Sequence, residues 1–189
     1  VAISQRGVEL GRRLRLLLPG GHLYLPEKWA ASTIPSEHTF SSPVKEVVRE
    51  VFQEYRHLVL IMSVGIAVRL IATELQDKHH DSGVVVVDDS GTFAVSLLSG
   101  HKGGANELAR KVAAALGARP VITTASDAVG TISVDLLGKE FGWEIANLSK
   151  VTRVSVAMVN GEPVAIYQDA GERNWWPEER LLPDNVNIV

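Results

Sequence analysis

Apolar and polar positions alternate with two periods along the chain, and the switches between them mark the elements. Val1-Ala2-Ile3-Ser4 predicts a short strand. Gly7, Leu10, Gly11, Leu14, Leu17 and Leu18 then fall at helical spacing, with Arg12, Arg13 and Arg15 on the opposite face. Pro19-Gly20-Gly21 stops that helix, and His22 to Pro26 predicts a second strand, parallel to the first by the handedness of such crossovers. Glu27 to Ser42 has no periodicity and predicts a surface loop. Pro43 suits a first helical turn, followed by the stripe Val44, Val47, Val48, Val51, Phe52 and Tyr55. Leu58 to Met62 and Val84 to Val87 are unbroken apolar runs, as expected of strands covered on both faces.

Between those runs, Ser63-Val64-Gly65 opens a helix that is apolar on nearly every side and is therefore expected to be buried, with Arg69 near its start. Asp88-Asp89-Ser90-Gly91 predicts a turn that returns Phe93 to Leu98 as an antiparallel partner. Glu107 to Leu116 predicts a helix ended by Gly117, and Pro120 to Thr124 another buried strand. Ser126-Asp127 can cap a helix running to about Phe141. Val151 to Val159 alternates, Asn160-Gly161 is a strong hairpin signal, and Pro163 to Gln168 is expected to return. The tail from Asp169 is polar apart from Trp175-Trp176, which either cover a core or form a docking surface. The expected architecture is α/β: residues 1–98 a doubly wound, mostly parallel sheet with an antiparallel hairpin, and residues 99–189 a smaller α/β segment ending in a β-hairpin.

Composition narrows the chemistry. The 189 residues are 46% hydrophobic and 22% charged, enough to bury a core. With no cysteine, disulfides, thiolate metal sites and cysteine nucleophiles are excluded, in keeping with a cytoplasmic protein. The net charge of -3 argues against nucleic acid as the main partner, and no apolar run reaches membrane-span length. No signal peptide is expected, although a strand already under way at Val1, without Met, predicts that residues precede it.

One stretch concentrates the candidate chemistry. Ser99-Gly100-His101-Lys102-Gly103-Gly104-Ala105-Asn106 joins a strand to a helix through three glycines, with an imidazole and an ammonium in the same turn. A helix start offers unpaired amides and the positive end of a dipole, so the turn suits an anion that needs proton transfer. The plain alternative is a glycine-rich turn with solvated side chains. The stretch has neither the Lys-Ser/Thr ending of a Walker A loop nor G-x-G-x-x-G, and no G-x-S-x-G occurs in the chain. The Gly65 to Arg69 turn is a second candidate. A guanidinium on a buried helix either pairs with a neighbouring carboxylate or grips one on a ligand. His79-His80-Asp81 lacks further ligands and reads as a solvated loop, and no metal site is expected. Thr123, Thr124 and Ser126 could bind an anion or serve as ordinary caps.

Taken together, Gly65-Ile66-Ala67-Val68-Arg69, Asp77-Lys78 through Asp81, Val84 to Asp88, Leu97 to His101, Gly103 to Ala109 and Pro120 to Ala125 closely resemble the CbiG family of cobalamin biosynthesis. Arg6-Gly7, Glu9-Leu10-Gly11 and Leu23-Tyr24-Leu25-Pro26 fit the same family. The resemblance runs from Val1 to about Asp135 and more loosely to Val189. It implies a cobalt-precorrin-5A hydrolase that opens a ring-A δ-lactone and releases acetaldehyde. A non-catalytic corrinoid-binding or scaffold protein of the same pathway is the competing expectation. The resemblance also implies a three-part protein whose third part, a CobE-like domain, lies outside this chain. The substrate is then a polyanionic cobalt tetrapyrrole. Other pathway enzymes and a second copy of the chain are the remaining candidate partners. No cofactor is expected, because the substrate carries the cobalt. In that scheme His101 is the acid/base, with Gly65, Arg69, Ser99, Gly100, Lys102, Gly103, Gly104 and Asn106 holding substrate. The amides of Gly103, Gly104 and Ala105 are the expected oxyanion donors.

Overall fold

The computed structural model describes residues 1–31, 37–77, 80–172, 174–176 and 181–189. They fall into two units, Val1–Ile122 and Thr123–Val189.

The first unit is built around a sheet in the order β3 (His57–Ile61), β4 (Gly83–Val87), β5 (Phe93–Leu98), β6 (Arg119–Val121). A parallel pair, β1 (Leu23–Pro26) and β2 (Glu37–Phe40), stands beside it. Ala2 joins the two, bridging Ile61 in parallel and donating its amide to the Tyr24 carbonyl at 3.0 Å. The expected first strand is thus reduced to a single bridge. The expected loop over 27–42 contains β2, held by a forked ion pair. Arg12 on α1 (Gln5–Leu17) donates Nε to Glu37 Oε1 at 2.8 Å and Nη2 to Oε2 at 3.0 Å.

Direction matters more than order. β3 runs parallel to β4, β4 antiparallel to β5, and β5 parallel to β6. Two parallel pairs therefore run in opposite senses within one sheet, joined by the Asp88–Gly91 turn. Asp88 closes that turn, accepting from the amides of Ser90 and Phe93. Both faces are covered, which is why β4 carries four consecutive valines after Gly83. Val84 and Val86 pack with α2 (Val44–Glu54) and α3 (Val64–Ile71), while Val85 and Val87 pack with α1 and α4 (Ala105–Leu116). Side chains alternate across a strand, so an apolar residue is needed at every position.

The expected boundary after Leu98 falls inside this unit. β5 feeds α4, and α4 returns as β6 against β5, so the chain leaves the sheet only after Ile122.

The second unit corrects two further expectations. The helix expected to reach Phe141 stops after α5 (Ala125–Val129) at Gly130, which is left-handed at φ +69°. The alternating stretch is a helix, α6 (Leu148–Val159), and no hairpin forms at Asn160-Gly161. Val151, Val154 and Met158 also stand at i, i+3 and i+7, and Met158 is buried. Asn160-Gly161 ends the helix: the Gly161 amide donates to the Met158 carbonyl and the Glu162 amide to that of Ala157, with Gly161 left-handed. That is the Schellman pattern of helix ends, which uses the same residue pair as a tight hairpin. β7 (Val164–Ile166) instead pairs in parallel with β8 (Val186–Ile188). Trp175 is buried with Ile132, Met158 and Val186, so of its two expected roles it covers the core.

Candidate functional site

The Ser99–Asn106 loop leaves β5 and closes on itself before α4 begins. Ser99 adopts φ +54°, the one non-glycine residue described in the left-handed region. From there the loop carbonyls turn toward the helix start. The Ala105 amide donates to the Ser99 carbonyl at 3.3 Å, that of Asn106 to Gly100 at 3.0 Å, and that of Gly104 to His101 at 2.9 Å. Two of the three expected oxyanion donors, Gly104 and Ala105, are therefore already engaged. Asn106 is buried, and its carboxamide oxygen accepts the Ser96 hydroxyl at 2.7 Å, tying α4 to β5. The Ser99 hydroxyl is buried without a hydrogen-bond partner, so no nucleophile–base pair is built on it. His101 and Lys102 are half-buried, and the Lys102 ammonium has no partner among the described residues.

The loop is seated by residues that sequence reasoning passed over. His57 Nε2 donates to the Gly103 carbonyl at 2.9 Å. A side chain at Gly104, itself at φ +81°, would approach that imidazole nitrogen to 2.8 Å. One at Gly83 would overlap the Gly103 carbonyl, and one at Gly103 would overlap Ser99. Glycine at 103 and 104 thus serves close packing as well as turning. A cavity of about 470 Å³ opens at the same sheet edge, with Arg15, His22, Tyr24, Tyr55 and His57 in its wall. Tyr24 and Tyr55 share a hydroxyl hydrogen bond of 3.0 Å; burial first, then that bond, pushes the Tyr24 phenol up.

The Gly65 turn lies elsewhere. It follows β3, whereas the Ser99 loop follows β5, and these strands belong to the two opposed pairs. Each turn sits at the carboxyl end of its own pair, so they occupy opposite edges of the sheet. Five residues of strand at about 3.3 Å each separate them, on the order of 16 Å. The structure thus brings Ser99, Gly100, His101, Lys102, Gly103 and Gly104 together and holds Gly65 and Arg69 apart from them.

Helix α3 also departs from expectation. Val64, Ile66 and Val68 are 40–45% exposed, and only Ala67, Leu70 and Ile71 face the core. Arg69 is exposed and forms no carboxylate pair among the described residues; its Nη1 donates to the Gly65 carbonyl at 2.8 Å. The Ile66 and Ala67 amides bond to the Ser63 carbonyl, while those of Val64 and Gly65 have no partner among the described residues. Of the other histidines considered, His79 lies outside the described residues, and His80 donates Nδ1 to Asp77 at 2.6 Å, which raises its pKa. No group of three or more metal-ligating side chains occurs among the described residues. Thr124 stands at the N-cap position of α5 and donates its hydroxyl to the Asp127 carboxylate at 2.6 Å, without a side-chain hydrogen bond to the helix amides.

Comparison with known proteins decides the family. Residues 46–127 match the family model described as cobalamin synthesis G N-terminal, and residues 132–189 the one described as cobalamin biosynthesis central region. The chain belongs to the CbiG family. The seam between the two CbiG regions falls close to the structural boundary after Ile122. A cobalt-precorrin-5A hydrolase of Priestia megaterium is 45% identical over 98% of the chain and 50% of its own length. That of Salmonella typhimurium is 37% identical over 89% of the chain and 47% of its own length. The chain therefore spans about half the length of the curated relatives it matches. A crystal structure of a cobalamin biosynthesis protein G homolog from Sulfolobus solfataricus aligns at TM-score 0.50, with 18% identity, over 98% of this chain and 50% of that one. At that identity the likeness concerns the fold. No helix among the described residues is long and apolar enough to cross a membrane.

Proposed function

We propose that this chain forms the amino-terminal and central part of a cobalt-precorrin-5A hydrolase, and that the lactone is opened at the Ser99–Asn106 loop. The observation that carries the activity is the 45% identity to a named hydrolase across 98% of the chain. The loop is favoured over the Gly65 turn because it alone pairs a proton carrier, His101, with an unpartnered cation, Lys102.

His101 takes a proton from water, and the hydroxide adds to the lactone carbonyl. The alkoxide that develops faces Lys102 and the Gly103 amide, in place of the engaged amides of Gly104 and Ala105. Collapse breaks the ring C–O bond, and the departing oxygen takes the proton back from the imidazolium. Loss of that hydroxyl proton then expels acetaldehyde, leaving the bonding electron pair on the conjugated macrocycle. Arg69 and the open amides of α3 hold peripheral carboxylates at the far edge of the sheet.

A second reading has one observation in its favour. A loop in which the amides of Gly104, Ala105 and Asn106 bond back on itself is also what a corrinoid-binding or scaffold protein would carry. Incubation with cobalt-precorrin-5A and trapping of acetaldehyde separates the two. The hydrolase releases acetaldehyde and His101→Ala lowers the rate at least 100-fold, a typical share for one acid/base group. Substrate binding without acetaldehyde from the intact protein supports the scaffold. A parent rate in His101→Ala removes His101 as the base.

A further inference from the structure

We infer that His57 is a positioning residue of the hydrolase, holding the Gly103–Gly104 peptide so that His101 keeps its place. This rests on the assignment of chemistry to the Ser99–Asn106 loop. His57 opens β3, 46 residues away in sequence, and its Nε2 donates to the Gly103 carbonyl at 2.9 Å. The other end of the same peptide unit is also fixed, because the Gly104 amide donates to the His101 carbonyl at 2.9 Å. The bonds therefore run in series: imidazole to carbonyl, across one rigid peptide, amide to the carbonyl of His101. A peptide plane anchored at both ends cannot flip, and aligned bonds of this kind polarise one another. Gly83 completes the seat, since any side chain there would overlap the Gly103 carbonyl.

The choice of histidine has a chemical consequence. Nε2 carries a proton both in the neutral tautomer that donates here and in the imidazolium, so the contact survives protonation. The carboxamide nitrogen of glutamine reaches about as far as Nε2, whereas that of asparagine stops near Nδ1. His57→Gln should therefore keep the bond, and His57→Asn should lose it.

The test compares His57→Ala, His57→Asn, His57→Gln and His101→Ala with the parent, by kcat and KM for acetaldehyde release and by hydrogen exchange at the Gly104 amide. His57→Ala and His57→Asn should lower kcat roughly tenfold, as a small misplacement of a catalytic group does, with KM within about twofold. His57→Gln should recover kcat to within about threefold, and exchange at Gly104 should quicken roughly tenfold in His57→Ala alone of the Ala and Gln pair. Equal losses in Ala and Gln, or an unchanged Gly104 exchange rate in His57→Ala, would overturn the inference. A parent rate in His101→Ala would instead remove the catalytic assignment of the loop, and the exchange rates would still decide whether His57 holds it.

Discussion

The two glycine turns of the first unit start from the same plan and end as opposites. Each follows a strand of the main sheet and opens a helix at the carboxyl end of its own parallel pair, with glycine just before the helix at Gly103 and Gly104 and just inside it at Gly65. The Ser99 turn spends its polarity on itself: three backbone amides bond back into the loop, and His57 and Gly83 clamp what remains. The Gly65 turn does the reverse. Among the described residues it leaves the Val64 and Gly65 amides open, and it exposes Arg69. A helix start binds an anion only with amides left over. Acid/base chemistry needs side chains held still, which a self-bonded loop supplies. On the proposed assignment, the turn with the imidazole serves positioning and the turn with the open helix end holds charge.

The largest effect is expected away from both turns and sets the stability baseline for comparing them. The Glu37 side chain is 3% exposed, and its carboxyl is held below the ordinary 4.5 first by the Arg12 hydrogen bond, against the opposing pull of burial. Glu37→Ala strands the guanidinium and should cost about 3 kcal/mol in denaturant unfolding. The sign with pH follows from a lowered pKa: the contribution is complete above pH 4.5 and is lost as pH falls through the folded value. Unfolding midpoints of the parent should therefore drop below pH 4.5 more steeply than those of Glu37→Ala.

Next in size is the glycine comparison itself. Gly103→Ala drives a methyl into Ser99 and should lower acetaldehyde release roughly 100-fold. At Gly65 the nearest atom to such a methyl is Arg69 Nη1 at 3.2 Å, the end of a flexible side chain. Gly65→Ala should keep kcat within about threefold and raise stability by about 0.5 kcal/mol through helix propensity. Equal losses at the two positions would erase the contrast between a clamped and an open turn.

How far this contrast could be read in advance depends on which interactions are local. The alternation of strands and helices was legible because β4 and the stripe of α2 are periodic over their own length. The antiparallel return of β5 was legible from Asp88 to Gly91, and it already implied that β5 ends at the opposite edge from β3. Strand direction, not motif, is what parts the two candidate turns. Other features depended on partners far along the chain. The His57–Gly103 bond spans 46 residues, and β2 exists because Arg12 on α1 holds Glu37. Asn160-Gly161 serves a hairpin and a helix end equally well, and packing of Met158 selects the second. The apolar character of α3 gave no warning that one side would face outward, because composition carries no information about which faces find a neighbour.

Smaller again is the expected effect of Arg69. A guanidinium that, among the described residues, bonds only to its own helix can exchange the Gly65 carbonyl for a ligand carboxylate. Arg69→Ala should raise KM for cobalt-precorrin-5A roughly five- to tenfold with kcat retained, the signature of binding that is uniform between ground and transition states. Arg69→Lys should fall between, since an ammonium keeps the charge and loses the fork. A fall in kcat with KM unchanged would move chemistry toward the Gly65 turn.

The finest test concerns Ser99, where loop and function pull in opposite directions. Its hydroxyl is buried without a partner and its backbone is left-handed, two features that each destabilise. A serine held that way at a strand-to-helix turn is also how some hydrolases present a nucleophile. The two roles make opposite predictions. If the residue is only a tight corner, Ser99→Ala removes an unsatisfied group and should raise stability by up to about 1 kcal/mol, with acetaldehyde release unchanged. Ser99→Gly should add about 1 kcal/mol more by relieving the left-handed backbone. If Ser99 attacked the lactone, both variants would be inactive whatever their stability. The first outcome is expected, because a nucleophile needs a base within hydrogen-bond reach and the Ser99 hydroxyl has no hydrogen-bond partner among the described residues. That outcome keeps water activated by His101 as the attacking group of the proposed mechanism, with the clamped loop holding that imidazole in line.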